Sequence, residues 1–278
     1  MIFILITTII FIFLVLVKIL QKPRKNLINN VAINHYQETN LLPWLEGIPN
    51  YHYHGTSITE SYDLKESLET DMKYLIKNHI KNNDRVLDIG CGFCGFNKLV
   101  NEIYDNVKVT NLTISKEAYE YCSKQGYDIK LQDFLSYNSK KKYDVVVLNE
   151  SFFYLGRNLE EKNETIKKIS GITNKIIGIF ATHLNNEIET WSNSGRTISP
   201  EELKYIFDKN GWEIMDIKIK PYFEEIQACV EINNIILDNS EKIESPMPQE
   251  IKNWLGTLNI AILNDGNGGY RQILAAVK

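Results

Sequence analysis

The chain is 278 residues long and 44% hydrophobic, with a formal net charge of −4. That length allows one large buried core, and the mildly acidic balance argues against a nucleic-acid binder, which gathers its lysines and arginines into a patch; here the longest cationic run is Lys140-Lys141-Lys142. Four scattered cysteines include one pair at CxxC spacing, Cys91 and Cys94, with no second pair at zinc-site distance, so no metal is expected.

Residues 1–17 carry no charge and are almost wholly Ile, Leu, Val, Phe and Thr, and the basic cluster Lys22-Pro23-Arg24-Lys25 follows. About 20 helical residues cover about 30 Å, the thickness of the hydrocarbon layer. The stretch lacks the basic start and small-residue cleavage site of a signal peptide, so residues 1–20 are expected to form an uncleaved transmembrane anchor. Positive charge after the span places the rest of the chain on the cytoplasmic side of a membrane. The Asn-rich stretch that follows has no period, and residues 21–50 are expected to be a linker.

From residue 51 the pattern is that of a folded domain running to residue 278. An aromatic loop at 51–57 holds Tyr53, and apolar residues spaced three and four apart predict a helix over 64–80. Strands are then expected at 85–89, 107–115, 127–134, 143–149, 175–183, 212–220 and 270–277. Helices are expected after the first glycine cluster and at 116–124, 159–172 and 200–210, the last with Ser199 as N-cap and Pro200 at its first position. Residues 221–269 form a cap insertion with a helical stretch near 248–258. This alternation predicts an α/β fold: a Rossmann-like, seven-stranded, mostly parallel sheet with helices on both faces.

The first strand runs into Asp88-Ile89-Gly90-Cys91-Gly92-Phe93-Cys94-Gly95. In a sheet of this kind ligands bind at the carboxyl ends of the strands, where this loop lies. A phosphate-cradling P-loop would need Gly-Lys-Ser/Thr, and Phe96-Asn97 stands there instead. Gly90, Gly92 and Gly95 satisfy the GxGxxG of a dinucleotide site, which keeps a nicotinamide-dependent oxidoreductase open on spacing alone. Asp88, two residues before the first glycine, would repel a pyrophosphate and suits a cationic ligand. S-adenosylmethionine carries an ammonium and a sulfonium and no phosphate.

The run Val86-Leu87-Asp88-Ile89-Gly90-Cys91-Gly92-Phe93-Cys94-Gly95 resembles the class I S-adenosylmethionine-dependent methyltransferases. Thr110-Asn111-Leu112-Thr113-Ile114-Ser115 and Leu131-Gln132-Asp133-Phe134 are similar to the branch that holds cyclopropane-fatty-acid synthases and tocopherol methyltransferases. The resemblance covers residues 50–278. It implies that Gly90, Cys91 and Gly92 lie against the methionine and ribose parts of the cofactor, with Asp88 supporting the loop or the ammonium. Thr113 and Ile114 hold the ribose side, Asp133 accepts from the adenine amino group, Phe134 lies against the ring, and Tyr53 and Asn149 complete the set.

Methyl transfer asks the protein to align a nucleophile, exclude water and, where needed, remove a proton. Glu150, Tyr154 and His183, after the fourth and fifth strands, are the expected catalytic residues. Cyclopropane synthases carry a Glu-His pair where this chain has Phe153 and Tyr154, so ordinary methylation is expected over cyclopropanation. Tyr222, Phe223, Trp254 and Leu255 give the cap an apolar surface. With the anchor, they point to a lipid-like or amphiphilic acceptor. Cyclopropane-synthase-like lipid modification and a non-catalytic cofactor-binding scaffold are the alternatives.

Overall fold

The computed structural model of the protein describes residues 40–49, 63–183, 198–221, 226–248, 251–252, 255 and 269–278. Among these no helix is long and apolar enough to cross a membrane, and the anchor expected over residues 1–20 lies outside them. Strands are β1 (Arg85–Ile89), β2 (Lys108–Thr113), β3 (Ile129–Leu131), β4 (Val145–Asn149), β5 (Lys175–His183), β6 (Glu213–Pro221) and β7 (Gly269–Val277). Helices are α1 (Leu64–His79), α2 (Gly95–Ile103), α3 (Lys116–Lys124), α4 (Leu159–Ser170), α5 (Pro200–Lys209) and α6 (Ile226–Ser240).

The strands form one sheet in the order β3-β2-β1-β4-β5-β7-β6. Strands β1 to β5 pair in parallel, and β7 runs antiparallel between β5 and β6. The central strands are apolar on both faces because both faces are covered. In β4, Val146 and Leu148 enter a core with Ile166 and Ile169 of α4 and Leu203, Ile206 and Phe207 of α5. Val145 and Val147 enter a second core with Met72, Leu75 and Ile76 of α1 and Phe96, Leu99 and Val100 of α2. Gly178 lets β4 and β5 close up, since a Cβ there would lie 2.3 Å from the Leu148 carbonyl oxygen. The α5 start is a full capping box between Ser199 and Glu202.

Three expectations are corrected. Strand β3 is three residues rather than eight, because the Asp133 carboxylate accepts from the Leu135 N–H and turns the chain into a 3₁₀ turn, Phe134–Ser136. Residues 221–269 contain α6, a helix that sequence reading passed over. The expected linker also ends earlier than residue 50: Leu41, Trp44, Leu45 and Ile48 are buried against Ala228, Ile232 and Ile236 of α6. Asn239 of α6 donates to the carbonyls of Trp44 and Glu46 at 3.1 and 2.9 Å. On the other side Glu117 of α3 accepts from the N–H groups of Leu41 and Leu42. Phe93 of the glycine loop packs against the same cluster, so this segment is seated beside the loop.

Candidate functional site

Parallel pairing brings the carboxyl ends of β3, β2, β1 and β4 to one edge of the sheet, in register: Thr113 beside Leu131, Ile89 beside Leu112, Asp88 beside Val147. That edge therefore gathers Asp88, the glycine loop, Thr113, Ile114, Asp133 and Asn149. At β1 the sheet order reverses, with β2 on one side and β4 on the other, and such a switch point opens a crevice for a ligand.

The loop is built for close approach. Gly90 has φ +76 and Gly92 φ +51, and Cys94 takes the left-handed conformation at φ +62 as the cap of α2. The N–H groups of Gly90 and Cys91 both donate to the Leu112 carbonyl, at 2.9 and 3.0 Å, which ties the loop to β2. A Cβ on Gly90 would stand 2.6 Å from the Ser151 Cβ. Glycine is therefore required there twice, by conformation and by space.

Asp88 is 1% exposed, and neither of its carboxylate oxygens meets a hydrogen-bond donor. Burial alone pushes its pKa up to about 7. Asn149 Oδ1 and Ser151 Oγ, after the neighbouring β4, are likewise buried without partners. Buried polar atoms in a folded protein are nearly always satisfied, so a cluster of orphans at one crevice marks where a ligand's donors belong. A carboxylate and an amide oxygen fit the ammonium and hydroxyl groups of S-adenosylmethionine. They do not fit a pyrophosphate. Asp88, Asn149 and the loop would hold the amino-acid and ribose portions of that cofactor, whose chemical contribution is an activated methyl group on a sulfonium.

Thr113 Oγ1 accepts from the Ser115 N–H, and Ser115 Oγ caps α3 through Ala118 N–H. The Thr-Ile-Ser stretch thus forms a hydrogen-bonded turn at the carboxyl end of β2. Phe134 is 2% exposed and part of the core, with the Lys168 ammonium 4.9 Å from its ring centroid and donating to its carbonyl. Its ring serves packing under α4, and the adjoining Asp133 carboxylate holds the turn. Tyr53 lies outside the described residues. His183 ends β5 opposite Gly269, with its side chain outside the described set.

Cys91, Cys94 and Cys122 form a small buried cluster under the loop, with Cys94 Sγ 3.9 Å from Cys91 Sγ. Burial pushes the Cys91 thiol up; at Cys94 the Cys122 hydrogen bond pulls down, and the Cys91 contact together with burial outweighs it and raises the thiol. All are free thiols, and no metal-binding cluster occurs among the described residues.

The wall after β4 is aromatic. Glu150 takes φ +55, a costly conformation outside glycine that recurs at functional sites, and its N–H donates to Ile179. The 3₁₀ turn Phe152–Tyr154 follows. Glu150, Phe152, Phe153, Ile179, Phe180 and Ala181 line a small cavity together with Lys162. Lys162 of α4 is fully buried; its ammonium donates to the Phe152 and Phe153 carbonyls at 2.9 and 3.0 Å and lies 4.9 Å from the Phe152 ring centroid. Sequence reading missed this residue, since a lysine on a charged helix carries no sign of burial. Lys162→Met is expected to leave both carbonyls without their donor and cost about 3 kcal/mol. Urea unfolding with an unchanged m-value checks this.

An open α/β sheet with one reversed strand, a glycine loop after β1 and an orphaned carboxylate beneath it define a class of small-molecule cofactor enzymes. Residues 52–185 match the family model of mycolic acid cyclopropane synthetase. Probable (S)-tetrahydroprotoberberine N-methyltransferase 2 of Papaver bracteatum is 37% identical over 97 residues, 32% of this chain and 27% of that protein. (S)-tetrahydroprotoberberine N-methyltransferase of Eschscholzia californica is 26% identical over 161 residues, 55% of this chain and 44% of its own. The chain therefore spans less than half the length of these curated relatives. The cyclopropane synthase MmaA2 of Mycobacterium tuberculosis shares the fold at TM-score 0.74 and 16% identity, over 88% of this chain and 96% of the other. Coclaurine N-methyltransferase bound to N-methylheliamine and SAH shares it at 0.71 and 16%, over 90% and 86%. Residues 52–185, just under half of the chain, thus match the cyclopropane-synthase family model, and the fold is the one that these S-adenosylmethionine-dependent methyltransferases share.

Proposed function

We propose that this protein is a membrane-anchored methyltransferase that moves the methyl group of S-adenosylmethionine to a lipid-like or amphiphilic small molecule. The observation that carries the donor half is the buried, donor-less carboxylate of Asp88 under the glycine loop. The acceptor half is supported by the aromatic wall. Phe153 and Tyr154 stand where the branch's cyclopropane synthases carry Glu-His, and their rings meet edge to face at 5.1 Å. An apolar wall favours an acceptor with apolar surface, and residues 1–17, without a charge, would hold the domain at its supply of such molecules. The relatives named as N-methyltransferases make nitrogen a natural target atom.

In this reading the loop and Asp88 fix the donor so that its methyl faces the β4 wall. Phe152, Phe153 and Tyr154 exclude water and orient the acceptor atom for in-line attack. A carbon–sulfur bond breaks as the new bond to the methyl forms, and S-adenosylhomocysteine leaves. Glu150, one of the residues lining the cavity, takes the proton where the acceptor carries one.

The test is mass spectrometry of a membrane lipid extract incubated with the full chain and methyl-labelled S-adenosylmethionine. The reading predicts a labelled amphiphile that keeps all its double bonds. Label appearing only in water-soluble acceptors contradicts the acceptor half, and a product that has lost a double bond favours cyclopropane-forming lipid modification.

A further inference from the structure

Strand β6 ends the sheet, and among the described residues no strand pairs with its outer side. Its apolar side chains are open to solvent: Met215 is 63% exposed, Ile217 43% and Ile219 55%. Asp216, Lys218 and Lys220 alternate with them on the opposite face. An exposed apolar edge of this length is a template for another strand. We propose that two copies of this chain join through β6, antiparallel about a twofold axis at Ile217, so that two seven-stranded sheets become one.

The side-chain pattern selects both the partner and the register. Centred on Ile217, the pairing sets Asp216 of each copy opposite Lys218 of the other, Ile217 opposite Ile217, and Met215 opposite Ile219. Centring on Asp216 would put carboxylate on carboxylate. Centring on Lys218 would put ammonium on ammonium and set Asp216 opposite Lys220, which Asp71 already holds at 2.7 Å within each copy. Centring on Ile219 would put Lys218 opposite Lys220, and centring on Met215 would fall on the irregularity of the strand. Opposite charges across a ladder stabilise it and like charges disfavour it, so one self-complementary register survives. The charges are already held in place within each copy. Tyr74 and His79 of α1 hydrogen-bond Asp216 Oδ2 at 2.5 and 3.2 Å, and the Lys218 ammonium lies 3.0 Å from the Tyr74 ring centroid. The irregularity in β6 falls between Ile214 and Asp216, so the three central pairs lie beyond it. A bilayer would take the apolar row but would gain nothing from the Asp216 and Lys218 arrangement.

Cysteine cross-linking of the full chain in detergent micelles tests the register, because the native cysteines are all buried. In Ile217→Cys, diamide should oxidise two thiols on adjacent copies to one disulfide, itself reduced to the hydrazine, giving a species of twice 32.2 kDa. Ile219→Cys alone should give none, since its partner position is 215, while Ile219→Cys mixed with Met215→Cys should cross-link. All three positions are exposed, so folding is retained. Ile217→Cys that links no more than the wild type, or Ile219→Cys alone that links as readily as Ile217→Cys, overturns the proposal.

Discussion

Gly90→Ala is expected to lower affinity for S-adenosylhomocysteine on the order of 100-fold or more and to cost about 3 kcal/mol of stability. The added methyl meets the Ser151 Cβ at 2.6 Å in a backbone held at φ +76. Neither side can give freely. The Gly90 and Cys91 amides are bound to Leu112, and Ser151 is followed by a turn that Lys162 fixes from behind. Relief must come from movement of the loop itself, where the proposed function seats the cofactor. Gly92→Ala is the informative partner: it has φ +51 but nothing within 4 Å of its would-be Cβ. It should lose stability by about 1 kcal/mol, the cost of the conformation alone. Calorimetric titration and thermal unfolding of both variants check the pair.

The second large effect comes from Asp88. Its pKa in the ligand-free protein is about 7 against an ordinary value of 3.8. The folded form thus holds a proton that the unfolded chain gives up, and the stability this proton supports is complete below pH 4 and lost as pH rises to about 7. The change amounts to about 4 kcal/mol at 1.36 kcal/mol per pH unit. A cationic ligand favours the ionised carboxylate, so binding of S-adenosylhomocysteine should expel the proton. Affinity should then rise by up to about tenfold per pH unit between pH 5 and 7 and flatten above. Asp88→Asn should remove the slope of both curves and weaken binding at pH 7.5 by more than tenfold. Unfolding and titration series across pH 5 to 8 check the signs, and a binding curve flat in the wild type would remove Asp88 from the ligand's surroundings.

Much of this architecture was legible in the residues, for local reasons. Strand β5 and helix α3 fall where expected because a β-branched run and a Ser-capped turn leave no competing conformation. The glycine loop was legible because only backbone freedom explains its spacing, and Asp88 because a carboxylate there makes no sense beside phosphate. What stayed hidden depends on contacts distant in sequence. Trp44 and Leu45 lie in a stretch with no period, and only α6, almost 200 residues later, supplies the surface that buries them. The apolar spacing of Ala228, Ile232 and Ile236 was the signal available for α6, obscured by the polar residues around it. The burial of Phe134 under α4 was hidden too, because it follows from the turn that the Asp133 carboxylate caps. Burial of Lys162 left no trace, since helix propensity and charge pattern treat a buried lysine and a solvated one alike.

These placements meet in one function-bearing feature, the loop between β1 and α2 with the carboxylate beneath it. Calorimetry of the full chain with S-adenosylhomocysteine and with NAD, in parallel at pH 7.5, tests it most directly. The account predicts saturable binding of S-adenosylhomocysteine that is weakened by Asp88→Asn, and no heat from NAD. Binding of NAD with none of S-adenosylhomocysteine would contradict it.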